Sequence, residues 1–508
     1  MFQRRVSFSP PLQPAIRKFG LLFIGCLLFH AAGTWTLPLV DRDEPRFAEA
    51  SREMLERGDY IVPYLNNRHR FDKPPLIYWL QSTSYRLLGE TDFAARLPSV
   101  IAGALTALLL FAWGRRVADE RVGFWAALMF TICFQTVVHA KAAVADMWMV
   151  FFVAAAQWAG YELLRDRLKT DERRTPSVQR RTSNEESVAP CRRWWWIFYV
   201  SLAFGFLAKG PVGWMPLLSL AATKLLVPDL TLNRRFLFLT GMLFALSIVA
   251  LWGIPALMRT NGEFFRVGIG RHVVERSLVA MEGHGAKSIW AYIGSLPFYF
   301  VLIFLSFFPW ALKLPWLAQK LWRKRDPLDG YLIAGIAVVF ITFTFVKTKL
   351  PHYTLPAFPL LALLLAKAFA DLPSAQRLVR RMAIGTGCAA LLVAAATPFV
   401  ARLSPALQLV SQARNDLKPE MEFGAIDYKE PSLIWYFRRH VDGFFSDLDS
   451  DLLGPFLEKP GARFVIVPTT KVAELLPASP SHYKRYTARG INTANGKWVD
   501  LTLILKPQ

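Results

Sequence analysis

The sequence predicts an all-α polytopic membrane protein, with about eleven transmembrane helices and interfacial helices in its first outer loop, plus a small C-terminal α/β domain. Three features lead there. Apolar stretches close to the ~20 residues needed to cross a bilayer recur through most of the chain. The loops between them are strongly basic on one expected side only. Beyond Ala401 the pattern changes to short β-type runs broken by turns. The 508 residues are 53% hydrophobic and 14% aromatic, with a mean hydropathy of +0.28, more apolar than a soluble chain usually is.

Apolar segments fall near residues 19–40, 96–113, 122–140, 142–164, 194–208, 211–227, 236–258, 289–312, 330–346, 355–370 and 382–401. The first is too long for the core of a cleaved leader and is only weakly followed by a small-residue cleavage site, so it is expected to remain as an anchor. A net charge of +22 would suggest nucleic acid in a soluble protein. Here the positive-inside rule absorbs it, and no nucleic acid is expected. With Arg4, Arg5, Arg17 and Lys18 on the cytoplasmic side, the other inside loops should be basic, and the runs at 114–121, 165–193, 232–235, 319–325 and 376–381 are. Residues 169–190, rich in Arg, Ser, Thr and Glu, read as a disordered loop that sets orientation. The cysteines at 26, 133, 191 and 388 lie in or beside apolar runs, with no ligand spacing.

The outer face then receives residues 41–91, 139–146, 209–211, 259–288, 347–352 and everything after 401. Charged groups at that boundary serve no topological purpose and mark a site. In the first of these loops Pro45 suits an early helical position, Asp43 and Glu44 suit the positive end of the helix dipole, and Gly58 is a stop, so residues 45–57 should form one short helix. Phe47, Ala50 and Met54 share a face. The remaining charges, including Glu49, Glu53 and Glu56, read as a solvated face laced by i,i+4 pairs, where single replacements cost little. Asp41, Asp43 and Glu44 are not explained that way. In RFDKPPLIYW the two prolines hold Asp72 and Lys73 in an extended approach to a second interfacial helix, 76–87.

The ordered set DEPRFAE, FDKPPLIYW, the Asp146 loop, LAKGP, RHVVERS and KTKLPHYTLP resembles the bacterial C-type glycosyltransferases, a superfamily that includes the 4-amino-4-deoxy-L-arabinose lipid A transferases and the protein O-mannosyltransferase-like enzymes. The resemblance covers roughly residues 20–370. It implies a multispanning inner-membrane enzyme whose extracytoplasmic cavity takes a polyprenyl-phosphate sugar donor and passes the sugar to a lipid, glycan or protein acceptor. On the matching motifs, Asp43, Glu44 and Asp146 become the catalytic carboxylates, with Lys73 and Arg276 as a phosphate clamp and Asp72, His272, Lys349 and Tyr353 as further substrate contacts. A divalent metal ion between Asp43 and Asp146, as in some relatives, is a further implication. The chain departs from the arabinose transferases by having Asp72 where they tend to have Glu and Arg70 where they tend to have an aromatic, which leaves a hexose as open as aminoarabinose.

The chemistry of such a reaction matches the residue types. A lipid phosphate leaves readily if cations hold it, and a carboxylate can take the acceptor hydroxyl proton. DRD at Asp41–Asp43 is discounted as a nucleotide-sugar metal motif because it falls on the outer face. SDLDSD at 446–451 lacks the Gly and distal Glu of a calcium loop and reads as a turn. A transporter or flippase would place ionisable groups at the midplane and show paired halves, neither of which is evident. The tail, residues 404–508 after a membrane domain of 1–403, offers FGAIDY, LIWYF, RFVIVP and DLTLILKP as strands of the outer-face domain.

Overall fold

The computed structural model describes residues 12–170, 188–226, 236–275, 288–476 and 482–507. Most of the loop expected at 169–190 therefore lies outside the described residues. The helices are α1 (Leu12–Ala31), α2 (Asp43–Arg57), α3 (Leu76–Leu88), α4 (Asp92–Val117), α5 (Glu120–Ile132), α6 (Phe134–Ala140), α7 (Asp146–Thr170), α8 (Val188–Lys209) and α9 (Met215–Leu226). Further along come α10 (Phe238–Arg259), α11 (Pro327–Phe345) and α12 (Ala375–Ala401), then α13 (Pro405–Ala413) and α14 (Pro431–Phe437) of the C-terminal domain. Among the described residues eight helical stretches are long and apolar enough to cross a membrane, or nine if the bent pair α5 and α6 counts as one crossing.

Where these differ from the expected segments, the backbone chemistry explains it. The stretch 19–40 is helical only to Ala31; the chain from Ala32 to Val40 is irregular and forms part of a cavity rim. Its freed carbonyls need partners in an apolar setting. Arg96, wholly buried, supplies them to Thr34 (3.1 Å), Leu37 and Pro38 (2.8 Å). The stretch 122–140 bends by 69° at Cys133, and the Phe134 N–H left over at the break donates to the Phe308 carbonyl at 2.9 Å. Between α8 and α9 the chain reverses at Gly210, whose φ of +71° glycine tolerates without strain. Gly213 returns against Gly205 so closely that a Cβ there would lie 2.2 Å from the Gly205 carbonyl carbon. That reversal presents Lys209 at the tip of α8.

The C-terminal domain has a five-stranded sheet in the order β4-β3-β5-β7-β6, where β3 is Glu422–Ile426, β4 Phe445–Leu448, β5 Arg463–Pro468, β6 Lys484–Asn492 and β7 Lys497–Lys506. The small hairpin β1 (Tyr64–Leu65) and β2 (Arg68–His69) in the first loop is separate from it. Strands β4, β3 and β5 run parallel; β7 is antiparallel to β5 and β6. Period-2 alternation sends Phe464 and Ile466 to one face and Val465 and Val467 to the other, where Leu453, Phe456 and Leu457 cover them. LIWYF, expected as a strand, is the helix α14, with Pro431 at its first position and every residue buried. A short apolar run cannot be told from a buried helix by periodicity, and the leading proline favours the helix.

The first face of the sheet joins the membrane body. Phe423, Leu433, Trp435 and Leu409 form one core with Leu39, Ala48, Tyr85, Ala94 and Ala143. This corrects the expectation that α2 is an interfacial helix with a solvated face. Its apolar side packs Phe47, Ala50 and Met54 against Ile77 and Tyr78. Its charged side is buried too: Glu49 pairs with Arg52 and Arg438, Arg438 reaches Glu56 at 2.9 Å, and Arg52 lies 4.6 Å over the Trp435 ring. The helical pattern was legible, but the partner that covers its polar face comes from nearly four hundred residues away.

Candidate active site

At the head of this assembly, α2, the 70–74 segment, α6, the tips of α7 and α8, α10, the 343–353 segment and α12 enclose a cavity of about 1510 Å3. Its polar end holds Asp43, Glu44, Arg46, Asp72, Lys73, Lys141, Asp146, Lys209, His352 and Tyr353. The same cavity is also lined by apolar residues, among them Trp252 and Ala256 of α10 and Ala390, Val393 and Ala394 of α12. Such a cavity suits a ligand with a charged head and a hydrocarbon tail.

The carboxylates are not equivalent. Glu44, expected among the catalytic carboxylates, is saturated: it takes two hydrogen bonds from Arg96 (2.9 and 2.7 Å) and one each from the N–H groups of Val40 (2.8 Å) and Ala143 (2.7 Å). It ties α2, α4 and the 141–145 loop together. Asp146 pairs with Lys209, and His352 Nε2 lies 3.8 Å from the same oxygen. Asp72 pairs with Arg70 at 3.0 Å, and Arg70 also donates to the Tyr78 hydroxyl at 3.1 Å. The two positions at which the chain departs from the arabinose transferases are thus partners. Asp43, on the first turn of α2 and open to the cavity, has no hydrogen bond or ion pair at its carboxylate among the described residues; Arg70 and His139 are its electrostatic neighbours.

Among the cations, Lys141 spends its donors on the C-terminal carbonyls of α1, those of Phe29 (2.9 Å), His30 (3.1 Å) and Ala32 (2.6 Å). Burial and the nearby Arg96 push its ammonium down to about 8. Arg46 has no carboxylate within 4 Å among the described residues, and Lys73 lies near enough to His352 to act on its charge. Lys349 sits elsewhere than expected: it is buried behind the cavity and donates to the carbonyls of Phe343 (3.1 Å) and Thr344 at the end of α11. Tyr353 lines the cavity, its ring centre 4.9 Å from that of Phe343 and tilted by 36°. Arg276 lies outside the described residues, as does the side chain of His272.

The rim includes the C-terminal domain. Asp41 accepts from the Ser432 N–H at 2.9 Å and its own N–H donates to Thr493 at 3.0 Å, while Arg42 pairs with Glu430 at 3.2 Å and Ala494 lines the cavity. Burial, outweighing the Ser432 hydrogen bond, pushes the Asp41 carboxyl up to about 6. Arg46, Arg96, Lys209, His352 and this rim were not singled out beforehand as site residues, although LAKGP and KTKLPHY were read as outer motifs. Arg96 carried no signal, being one arginine at the edge of an apolar run. For a metal between Asp43 and Asp146 the donor set is poor. Asp146 is already neutralised by Lys209, and no group of three or more His, Cys, Asp or Glu side chains is placed to hold an ion among the described residues.

The fold and cavity define a multi-pass membrane protein with an amphipathic site at one face. The family model for dolichyl-phosphate-mannose-protein mannosyltransferase matches residues 72–171. The undecaprenyl phosphate-alpha-4-amino-4-deoxy-L-arabinose arabinosyl transferase of Pectobacterium atrosepticum is 30% identical over 354 residues, 68% of this chain and 57% of that protein. That of Aeromonas hydrophila is 28% identical over 355 residues, 68% of this chain and 59% of that one. The chain thus matches under two thirds of the length of these relatives. The crystal structure of ArnT from Cupriavidus metallidurans bound to undecaprenyl phosphate aligns with a TM-score of 0.77 at 19% identity, covering 98% of this chain and 100% of that one. The archaeal oligosaccharyltransferase AglB from Archaeoglobus fulgidus aligns at 0.51 and 13% identity, over 95% of this chain and 74% of that one. The chain is a relative of the protein O-mannosyltransferase-like and 4-amino-4-deoxy-L-arabinose transferase superfamily.

Proposed function

We propose that the protein is a glycosyltransferase that moves a sugar from a polyprenyl-phosphate donor to a hydroxyl of a lipid, glycan or protein acceptor, on the outer face of the inner membrane. The observation that carries this reading is the contrast at the polar end of the cavity. Glu44, Asp72 and Asp146 are each neutralised by a basic side chain, while Asp43 faces the same space with its carboxylate unengaged among the described residues. A carboxylate so placed can accept the proton of an acceptor hydroxyl as the oxygen attacks the anomeric carbon. The bond from that carbon to the phosphate oxygen breaks, and the phosphate keeps the electron pair. Lys73 and Arg46, on the same cavity wall, stabilise the charge that remains. Glu44 and Lys349 act as scaffold, holding α2 and the end of α11, and Asp146 with Lys209 and His352 shapes the floor beneath the reacting groups.

The hydrocarbon tail of the donor would lie against the apolar residues that α10 and α12 contribute to the cavity. The Arg70–Asp72 pair would border the sugar, and it favours a sugar without a cationic amine, because its carboxylate is already satisfied. We take residues 1–403 as the membrane domain, crossing about eleven times with the turn at Gly210 separating two of the crossings, and 404–508 as an extracytoplasmic domain that closes the rim. The test is reconstituted protein with a labelled polyprenyl-phosphate sugar. Free polyprenyl phosphate together with a glycosylated acceptor supports transfer; movement of the intact donor across the bilayer, with neither product, supports a flippase and defeats the proposal.

A further inference from the structure

On the face opposite the reaction cavity lies a second hollow of about 340 Å3, lined by Phe19, Arg115, Arg116, Trp158, Arg193 and Trp194. Arg96, at the head of α4, borders the first cavity; Arg116 is twenty residues further along the same helix, about 30 Å away at 1.5 Å per residue. The hollow therefore sits at the other membrane boundary, where α1, α4, α7 and α8 come together. Its charge is lopsided. Glu162 accepts from Arg116 at 2.6 and 3.1 Å and from the Trp158 indole at 3.3 Å, which accounts for one guanidinium. No carboxylate among the described residues lies within 4 Å of Arg115 or Arg193. Each instead lies over an aromatic ring, Arg115 at 6.0 Å from the centre of Phe19 and Arg193 at 4.7 Å from that of Trp194.

A guanidinium that rests over a ring rather than on a carboxylate keeps N–H donors for a ligand, and two such donors fit the non-bridging oxygens of one phosphate. The surroundings decide which phosphate. Beside the hollow, α1 presents Ile16, Leu21, Ile24 and Leu28 outward, between 52% and 66% exposed, as lipid-facing residues. We propose that this hollow binds the headgroup of an anionic glycerophospholipid from the leaflet opposite the reaction cavity, with its acyl chains along α1. Basic pockets between transmembrane helices have the right chemistry for that ligand, and tryptophans at the boundary suit the headgroup level. The proposal is independent of the transferase reading.

The full-length protein in detergent, titrated with phosphatidylglycerol or phosphatidylcholine and read by native mass spectrometry, tests it. Phosphatidylglycerol should be retained about tenfold more tightly, and the double variant R115Q/R193Q, which leaves the Arg116–Glu162 pair intact, should lose that preference. Equal retention of the two lipids by the wild type, or an undiminished preference in the variant, overturns the site. So does displacement of the lipid by millimolar inorganic phosphate, which would make the hollow a site for a soluble anion. Should the variant fold poorly, a photoreactive phosphatidylglycerol on the wild-type protein decides. Cross-links in the peptides around Phe19 and Trp194 support the site, and cross-links confined to other helices refute it.

Discussion

Replacing Glu49 by Gln should loosen the C-terminal domain from the membrane body by about 2–4 kcal/mol. Glu49 is fully buried and takes hydrogen bonds from Arg52 and Arg438, which are 1% and 5% exposed at their side chains. Removing one partner of a buried ion pair costs about 3–5 kcal/mol, because the remaining charge is left desolvated. Part of that loss is offset. Arg438 keeps Glu56 at 2.9 Å, Arg52 keeps the Trp435 carbonyl at 3.2 Å and its ring, and the new amide oxygen still accepts one hydrogen bond. Hydrogen exchange of the amides in α14 reads the change directly, since at 1.4 kcal/mol per factor of ten they should exchange roughly 30- to 700-fold faster. Glu56→Gln is the control: that side chain is 41% exposed, and its loss should cost under about 1 kcal/mol. Protection in Glu49→Gln within about 0.5 kcal/mol of wild type, or an equal effect from Glu56→Gln, would refute the argument that α2 is docked through a desolvated charge cluster.

Asp43→Asn should leave folding and donor binding nearly intact while lowering turnover by ~10² or more, measured as sugar released from a saturating lipid donor; near-normal transfer would move the search to Asp72 and Asp146. Lys73→Ala and Arg46→Ala should weaken donor binding by about 2–4 kcal/mol, and unchanged affinity in both variants would remove the clamp. Chelation with EDTA should not change the rate, and an activity restored by added divalent cation would return a metal to Asp43 and Asp146. Asp41, with its carboxyl raised to about 6 by burial, binds more protons folded than unfolded between its ordinary 3.8 and that value. Stability should therefore fall as pH rises from about 4 to about 6, and thermal melts of Asp41→Asn should lack that component; an identical pH profile in the variant counts against it.

How much of this was readable beforehand depended on how local each cause is. The α2 helix was visible because its start, its stop at Gly58 and its apolar stripe all lie within fifteen residues. The placement of Asp43, Lys73, Asp146 and Tyr353 around one cavity followed from ordered motifs and topology. What escaped was non-local pairing. Glu44 read as reactive because its neutraliser, Arg96, is 52 residues away, and the α2 charges read as solvated because Arg438 is 389 residues from Glu49. Lys349 was grouped with the cavity residues by its motif, yet its ammonium turns back to cap α11, a choice set by carbonyls that no side-chain pattern announces. The switch of LIWYF from strand to helix has a partly local origin: a short, wholly buried run satisfies either period, and Pro431 at its head is the one local signal that favours the helix.

The rim around Asp41 also has a consequence in time. Its partners Ser432 and Thr493 stand 391 and 452 positions further along the chain. At a synthesis rate of about 5–20 residues per second, the segment bearing Asp43 leaves the ribosome roughly 20 to 90 s before the second of them exists. During that interval the segment at Asp41 and Arg42 stands without its contacts to Ser432, Thr493 and Glu430. The rim is therefore complete only once the C-terminal sheet has folded, and a chain cut short of Thr493 would lack that wall of the cavity.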